Sequence, residues 1–563
     1  MAGRLRVLFA NLVWLLSCLP GWAAFVLATR GVRRAQQSLL ARTIRRNRAT
    51  GFGRRNSLGD FQSVPLSDYE DYAEFIEAIK AGRDSVLTRE RVELLQPTSG
   101  STAATKLIPC TKGLAGQFRA AIDPWIASMY LAFPSVLFGR QYWSISPSTP
   151  CGGDGRSRVR IGFADDAEYL GVVQRRLARA LFAVPPEIAR VADHDAFEYL
   201  TLLFLCREEN LRLVSVWHPS FMTALLGALP RHFGSIARDI GTGSIGVGLR
   251  LDPDLRRRLE GCLAPSPARA RRLARLDPGD RGCAQALWPK LRVISCWTDG
   301  NSEPWRSELA ALFPRAAIQG KGLAATEGIV SIPLGASGRK VCAVRSHYFE
   351  FIDAVTGEIR RTWEVEPGHE YGVVLTTAGG LYRYRLHDVV RVTGFFNRAP
   401  CLEFLGRDNL VSDIVGEKLN ARHVESCIRG VEREIGARFE FAMLAPHRDG
   451  DRAGYVLFMQ PAAGPEPDYE RIAGLMEAGL GRNYHYAHAR GLSQLEPVRI
   501  FRIARDAVDS YRRRLAAGGV KAGDVKVQAL SPGPGWIGAF DGELLGRRSQ
   551  LHRPLRSSYD LWE

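Results

Sequence analysis

Pro97-Thr98-Ser99-Gly100-Ser101-Thr102-Ala103-Ala104-Thr105-Lys106 sets hydroxyl side chains, one glycine and a lysine between two apolar runs. The stretch reads as a phosphate cradle. Small residues let backbone N–H groups approach an oxyanion, the hydroxyls add donors, and Lys106 supplies a mobile point charge. The same residues also make a plain turn, so the lysine needs partners elsewhere in the chain to give the first reading force. It is not a Walker A loop, because the second glycine and the Lys-Ser/Thr pair are missing. The preceding Val92-Glu93-Leu94-Leu95 has the length of a strand, and Pro97 is expected to stop its ladder pairing.

Composition narrows what surrounds that loop. The chain has 563 residues, 46% hydrophobic and 24% charged, enough for two or more globular domains. Its formal charge of +17 invites a nucleic-acid or membrane reading, yet no nucleic-acid-binding signature accompanies it, so a generally basic surface is expected and no nucleic-acid partner. The cations are nine lysines against 67 arginines. In such a chain a lysine marks a place where a compact ammonium is wanted, and Lys106, Lys321 and Lys418 all fall in motifs described below. Ten cysteines without a C-x-x-C pair, several in apolar runs such as Cys206 and Cys296, fit a reducing cytoplasm.

Val7 to Ala28 is an apolar stretch that Pro20-Gly21 is expected to interrupt, followed by Arg30, Arg33 and Arg34. A buried or interfacial helix, a membrane anchor and a cleaved signal all stay open here, and with them a peripheral or single-helix contact with the inner membrane. Arg30 to Asn47 is a basic amphipathic helix that fits anionic lipid or the protein's own body. A helix is expected over Ser67 to Ile79, and another capped by Thr111 with Leu114, Phe118, Ile122, Trp125 and Met129 on one face, kinked at Pro124. Trp217, His218 and Phe221 stand where a strand meets a helix, lining either an apolar substrate pocket or the core. Asp252 to Arg281 reads as a solvated helical excursion without a binding site. From Leu291 the pattern turns to strands and glycine turns, an α/β body with an antiparallel or barrel-like part.

Two further signals complete a parts list. Thr326-Glu327-Gly328 follows Gly320-Lys321-Gly322 at a strand mouth, where a carboxylate can hold a divalent cation. Leu381-Tyr382-Arg383-Tyr384-Arg385-Leu386-His387-Asp388 alternates as a hairpin strand after the turn Ala378-Gly379-Gly380, with Asp388 at an exposed strand end. Together they suit an enzyme that activates a carboxylate with ATP. The loop and Lys106 grip the triphosphate, Glu327 holds Mg2+, and Asp388 accepts both ribose hydroxyl protons.

These motifs, with Leu287-Trp288-Pro289-Lys290-Leu291-Arg292 and Val415-Gly416-Glu417-Lys418-Leu419, resemble the Gretchen Hagen, or auxin-responsive promoter, family of acyl-acid amido synthetases, in a bacterial-type form. The resemblance implies an α/β fold: a large N-terminal adenylate-forming domain with β-sheets, flanking helices and a small β-barrel, plus a smaller mobile α+β C-terminal cap. Domains are expected at 1–50 (apolar and basic helices), 51–418 and 419–563, with a hinge near Gly416 to Leu419. It further implies a carboxylic acid and an amine, usually of an amino acid, as substrates. Lys106, Glu327, Lys418 and His552 would be catalytic, and Glu327 the metal ligand. Ser99, Gly100, Ser101, Thr102, Thr298, Ala324, Ala325, Thr326, Gly328 and Asp388 would hold the nucleotide. Two positions depart from the family's pattern: His387 stands in place of a glycine, and His552, in Gln550-Leu551-His552-Arg553-Pro554, in place of a lysine.

Overall fold

The computed structural model describes residues 2–98, 106–144, 157–162, 177, 180–191, 193–246, 248–299, 302–408, 410–415, 417–449, 452–492, 494–517 and 527–545. The chain divides into two compact units, the first running to Asp408 and the second beginning at Asn409.

The first unit holds three sheets. Strands β1 (Leu94–Pro97), β2 (Leu107–Cys110) and β4 (Arg160–Ile161) form a small sheet in the order β2-β1-β4. Pro97 does not stop the ladder as expected: it pairs with Leu107, and β4 reaches only Leu94 and Leu95, so the missing N–H breaks no bond on that side. Strands β3 (Arg140–Trp143), β5 (Leu211–Ser215), β6 (Val293–Cys296) and β7 (Ala317–Gly320) make a four-stranded parallel sheet, covered by helices as apolar parallel strands require. The barrel-like part takes the form of a seven-stranded antiparallel sheet. Its order is β11 (Ile359–Arg361), β10 (Tyr348–Asp353), β12 (Glu370–Thr376), β13 (Tyr384–Phe396), β14 (Ala399–Arg407), β9 (Arg339–Cys342), β8 (Ser331–Leu334). Its outer strands β11 and β8 are not bonded to each other.

Helix α1 (Ala2–Arg30) runs straight through Pro20 and Gly21, so the expected interruption is absent. Tight packing takes its place. A Cβ on Gly21 would come within 2.7 Å of the Cβ of Asp123 on α5 (Lys112–Ala132), the helix capped as expected by Thr111. Asn11, fully buried, donates to the carbonyls of Leu137 and Gly139 and accepts from Tyr130 and Gln141, which fixes α1 against the body. The basic helix α2 (Val32–Asn47) lies on the protein itself, with Gln36 donating to the carbonyls of Val344 and His347. Helix α3 (Gly51–Arg55) carries Phe52, whose ring stacks on Tyr72 and Tyr382. The helix expected from Ser67 opens as a 3-10 turn, Tyr69–Tyr72, and becomes α4 (Ala73–Lys80).

Helices α6 (His194–Arg207) and α7 (Pro219–Thr242) pack on the parallel sheet. The region 252–281 is not a solvated excursion. Leu255, Leu259 and Leu273 are buried, and Arg269, also buried, donates to the carbonyls of Cys206 and Leu287, because an arginine stem and fork can close a core edge when its N–H groups find carbonyls.

The second unit contains a short hairpin, β15 (Val411–Ser412) with β16 (Leu419–Asn420). It also contains a sheet in the order β17 (Phe439–Asp449), β18 (Arg452–Pro461), β19 (Glu496–Ile503), β20 (Gly542–Leu545). Helices Ala421–Ile435 and Tyr469–Leu480 contribute to its apolar core.

Candidate active site

The Thr326-Glu327 pair stands at the tip of a tight turn. Ala325 N–H donates to the Gly328 carbonyl at 2.9 Å and Gly328 N–H to the Ala325 carbonyl at 3.2 Å, with Ala324 and Ile329 bridged behind them. Gly328 has to be glycine, since a Cβ would lie 2.7 Å from His347 Nε2. Burial lowers His347 to about 3, so the ring is neutral at physiological pH. Its Nε2 accepts from Ile329 N–H at 3.1 Å, which leaves the proton on Nδ1, 3.0 Å from Gln117 Oε1. Glu327 is itself buried, and burial pushes its carboxyl above the ordinary range. Asp388 adds to that push, while Arg407 and Lys106 pull against it.

Asp388 lies inside β13 and is buried, not at an exposed strand end, because β13 continues to Phe396 with β14 alongside. In the β13–β14 ladder Asp388 faces Arg407, whose Nε lies 3.5 Å from Asp388 Oδ1. Among the described residues that buried Nε has no hydrogen-bond partner, and Arg407 Nη2 donates to the Leu386 carbonyl. His387 adopts φ 63°, a left-handed conformation that favours glycine. Its ring lies between two carboxylates, 2.7 Å from Asp68 and 2.8 Å from Asp408. Asp68 also takes a two-pronged contact from Arg385. Although burial raises the Asp68 carboxyl, the bonds from Arg385 and His387 win and hold it below the ordinary range. Ser67 ties this corner together by pairing with Tyr384 along the backbone.

Lys106 immediately precedes β2. Its Nζ sits 5.4 Å from the centroid of Tyr69, whose hydroxyl accepts from Leu107 N–H at 2.7 Å. Lys106, Glu327 and Asp388, widely separated in sequence, therefore share one electrostatic field, and Arg407 joins them. Arg407 escapes sequence reasoning. Arg407 lies in Leu405-Gly406-Arg407-Asp408, one arginine among many, and only strand register pairs it with Asp388.

Other expected site residues fall as follows. Ser99, Gly100, Ser101, Thr102 and His552 lie outside the described residues. Thr298 is at the mouth of β6, so close to Gly320 that a Cβ there would sit 2.2 Å from its hydroxyl. Ala324 and Ala325 are half-buried on the arm of the turn. Trp217 is 47% exposed, His218 caps α7 through a 3.3 Å bond from Ser220 N–H, and Phe221 packs against the core. Lys418 is exposed at φ 44° in the second unit. Its loop is pinned by buried Glu417, which accepts from the N–H groups of Ile414 and Val415 and from the Tyr455 hydroxyl.

Comparison with known proteins places this geometry among relatives. Residues 22–318 match the GH3 family N-terminal domain, 340–407 the GH3 family central domain and 422–533 the GH3 family C-terminal domain. A probable indole-3-acetic acid-amido synthetase GH3.12 of Oryza sativa subsp. japonica is 28% identical over 90% of this chain and 92% of its own. An indole-3-acetic acid-amido synthetase GH3.2 of Arabidopsis thaliana is 25% identical over 72% of this chain and 79% of its own. Among solved structures, the AtGH3.15 acyl acid amido synthetase in complex with 2,4-DB superposes with a TM-score of 0.78 at 21% identity. That match covers 92% of this chain and 94% of the other.

Proposed function

The chain belongs to the GH3 family, and from that premise we propose that it is an ATP-dependent acyl-acid amido synthetase. The acid's carboxylate oxygen attacks the α-phosphorus of ATP, the bond to the β-phosphate oxygen breaks, and pyrophosphate leaves. The amine, of an amino acid, then attacks the carbonyl of the acyl-adenylate, loses a proton, and expels AMP as the amide forms. The relatives named above carry out conjugations of this acid-to-amine type by name.

The observation that carries the reading is the pair of buried carboxylates Glu327 and Asp388, with half-buried Arg407 3.5 Å from Asp388 and the charges of Arg407 and Lys106 acting on Glu327. Lys106, with Ser99, Gly100, Ser101 and Thr102, neutralises phosphate oxygens, and Thr326 adds a hydroxyl beside them. Asp388, held by Arg407, accepts the ribose hydroxyl protons. Mg2+ would enter this site as a companion of the triphosphate, with the buried carboxylate of Glu327 its protein ligand. A cation there would offset the charge that burial disfavours on Glu327. When bound it supplies charge neutralisation at the phosphates. By the family resemblance Lys418 and His552 would be further catalytic residues, carried by the C-terminal part of the chain.

Pyrophosphate release from ATP and Mg2+ with a panel of carboxylic acids tests the activity. Asp388→Ala and Lys106→Ala each remove a charge-assisted contact of ~1.5–3 kcal/mol, so kcat/KM for ATP should fall about ten- to a hundredfold. Wild-type kinetics in both variants would reassign the site, and no pyrophosphate with any acid would leave a nucleotide- or acid-binding relative without the reaction.

A second reading concerns location. The outer face of α1 exposes Leu5, Phe9, Leu12 and Leu16, and Arg30, Arg33 and Arg34 lie near its end. We place this face on an anionic membrane surface, lying in the interface and not spanning it, because the Asn11 network holds the other face to the protein. The nine cysteines among the described residues are all free, which suits a cytoplasmic face.

A further inference from the structure

The carboxyl ends of the parallel strands carry a second cluster that the reaction scheme leaves unused. In register across the sheet, Trp143 on β3, Ser215 on β5, Ser295 on β6 and Gln319 on β7 form one row, so their side chains share a face. Lys321, just beyond β7, reaches over that row. Its Nζ donates to Ser215 Oγ at 2.7 Å and lies 4.6, 5.5 and 5.8 Å from the ring centroids of Trp125, Trp217 and Trp143. The lysine is buried, and among the described residues no carboxylate pairs with it. Beside it, Ser295 Oγ and Gln319 Nε2 are buried and have no hydrogen-bond partner among the described residues, while Gln319 Oε1 accepts from Trp125 Nε1 at 3.2 Å.

An ammonium taken out of water without a counter-ion is costly, and one hydroxyl and three indole faces offset only part of that cost. Burial lowers the group to about 7. Among the described residues the cluster holds no anion. A carboxylate would pair with Nζ and take the Ser295 hydroxyl and Gln319 amide N–H, and the indoles would offer an apolar wall to a flat body. Two features put the cluster within the synthetase site. It lies at the carboxyl ends of parallel strands, where ligands of open α/β sheets bind, and the segment 322–325 leads from Lys321 directly into the Thr326-Glu327 turn. Trp217, the half-exposed wall, faces solvent.

We propose that this box receives the far end of the acyl acid, and that the preferred acids carry a second carboxylate on a planar or short apolar body. The proposal rests on the amido-synthetase reading for the acid's other end. The Trp217 side chain, within the box and partly exposed, gives a readout that needs no ATP: titration of intrinsic tryptophan fluorescence with isophthalate, terephthalate and benzoate, alongside pyrophosphate release with the same acids.

The dicarboxylates should bind about ten- to a hundredfold more tightly than benzoate, the worth of one charge-assisted contact. Lys321→Met should bring that ratio near unity. Trp217→Leu, at the exposed wall, should reduce dicarboxylate affinity, and serves if the lysine variant does not fold. Equal binding of benzoate and dicarboxylates to the wild type, or a ratio unchanged in a folded Lys321→Met protein, would overturn the proposal. A dicarboxylate preference in fluorescence without pyrophosphate from any acid would keep the box and remove the synthetase reading. Pyrophosphate from benzoate and dicarboxylates alike, with equal binding, would do the reverse.

Discussion

His387 occupies a left-handed backbone position, φ 63°, and its ring ties Asp68 to Asp408 beside the buried Asp388. A non-glycine residue gives up about 1–2 kcal/mol in that conformation, and here two carboxylate contacts offset the strain. The two contributions can be separated. His387→Ala loses the contacts and keeps the strain, whereas His387→Gly loses the contacts and relieves it. The glycine variant should therefore be more stable than the alanine variant by about 1–2 kcal/mol in urea denaturation. Equal midpoints would mean that the backbone relaxes when the ring is removed. The glycine that the family's pattern places here has the same conformational explanation, and the histidine replaces freedom by a clamp.

At the scale of elements, the contact between α1 and α5 makes an expectation that runs against helix propensity. Glycine to alanine inside a helix ordinarily stabilises by ~0.8–1 kcal/mol. At Gly21 the new Cβ would meet Asp123 at 2.7 Å, so Gly21→Ala should instead destabilise, by about 1–3 kcal/mol, measured as a lower thermal midpoint. A gain in stability would show that the helices separate freely. The exposed face of α1 makes a different prediction. The full chain should float with vesicles containing phosphatidylglycerol, release at high salt as screened charge attraction requires, and stay at the bottom of the gradient when Phe9 and Leu16 are both changed to Glu. Flotation of that variant to the same extent would exclude this face as the contact.

Over the full length of the chain, the sequence departs from the family's pattern at His552, which stands in place of a lysine. A neutral imidazole cannot neutralise charge building between the acyl carboxylate and the α-phosphate, and an imidazolium can do so only below its ordinary pKa of ~6.5. Adenylation should therefore be faster near pH 6 than near pH 8, and His552→Lys should raise the rate at pH 8 and flatten the profile. The measurement is pyrophosphate exchange with an acid the enzyme accepts. A wild type that is fast and indifferent to pH, and slowed by the lysine, would assign the charge to another group such as Arg553 or Arg556.

Features that depend on near neighbours are legible in the sequence. Thr111 announces a helix cap, the alternation around Tyr384 a strand, and Thr326-Glu327-Gly328 a turn at a strand mouth, because capping, pleating and turn closure are settled within a few residues. Proline departs from local expectation twice, at Pro20 and Pro97, since whether a missing N–H matters depends on what lies opposite it. Only the tertiary structure decided that Arg407 faces Asp388, that Asp388 is buried, and that Trp125, Trp143 and Trp217 enclose Lys321. Cross-strand register and the carboxyl ends of parallel strands bring together residues that no local periodicity connects, and burial then gives their charges a strength the sequence alone cannot assign.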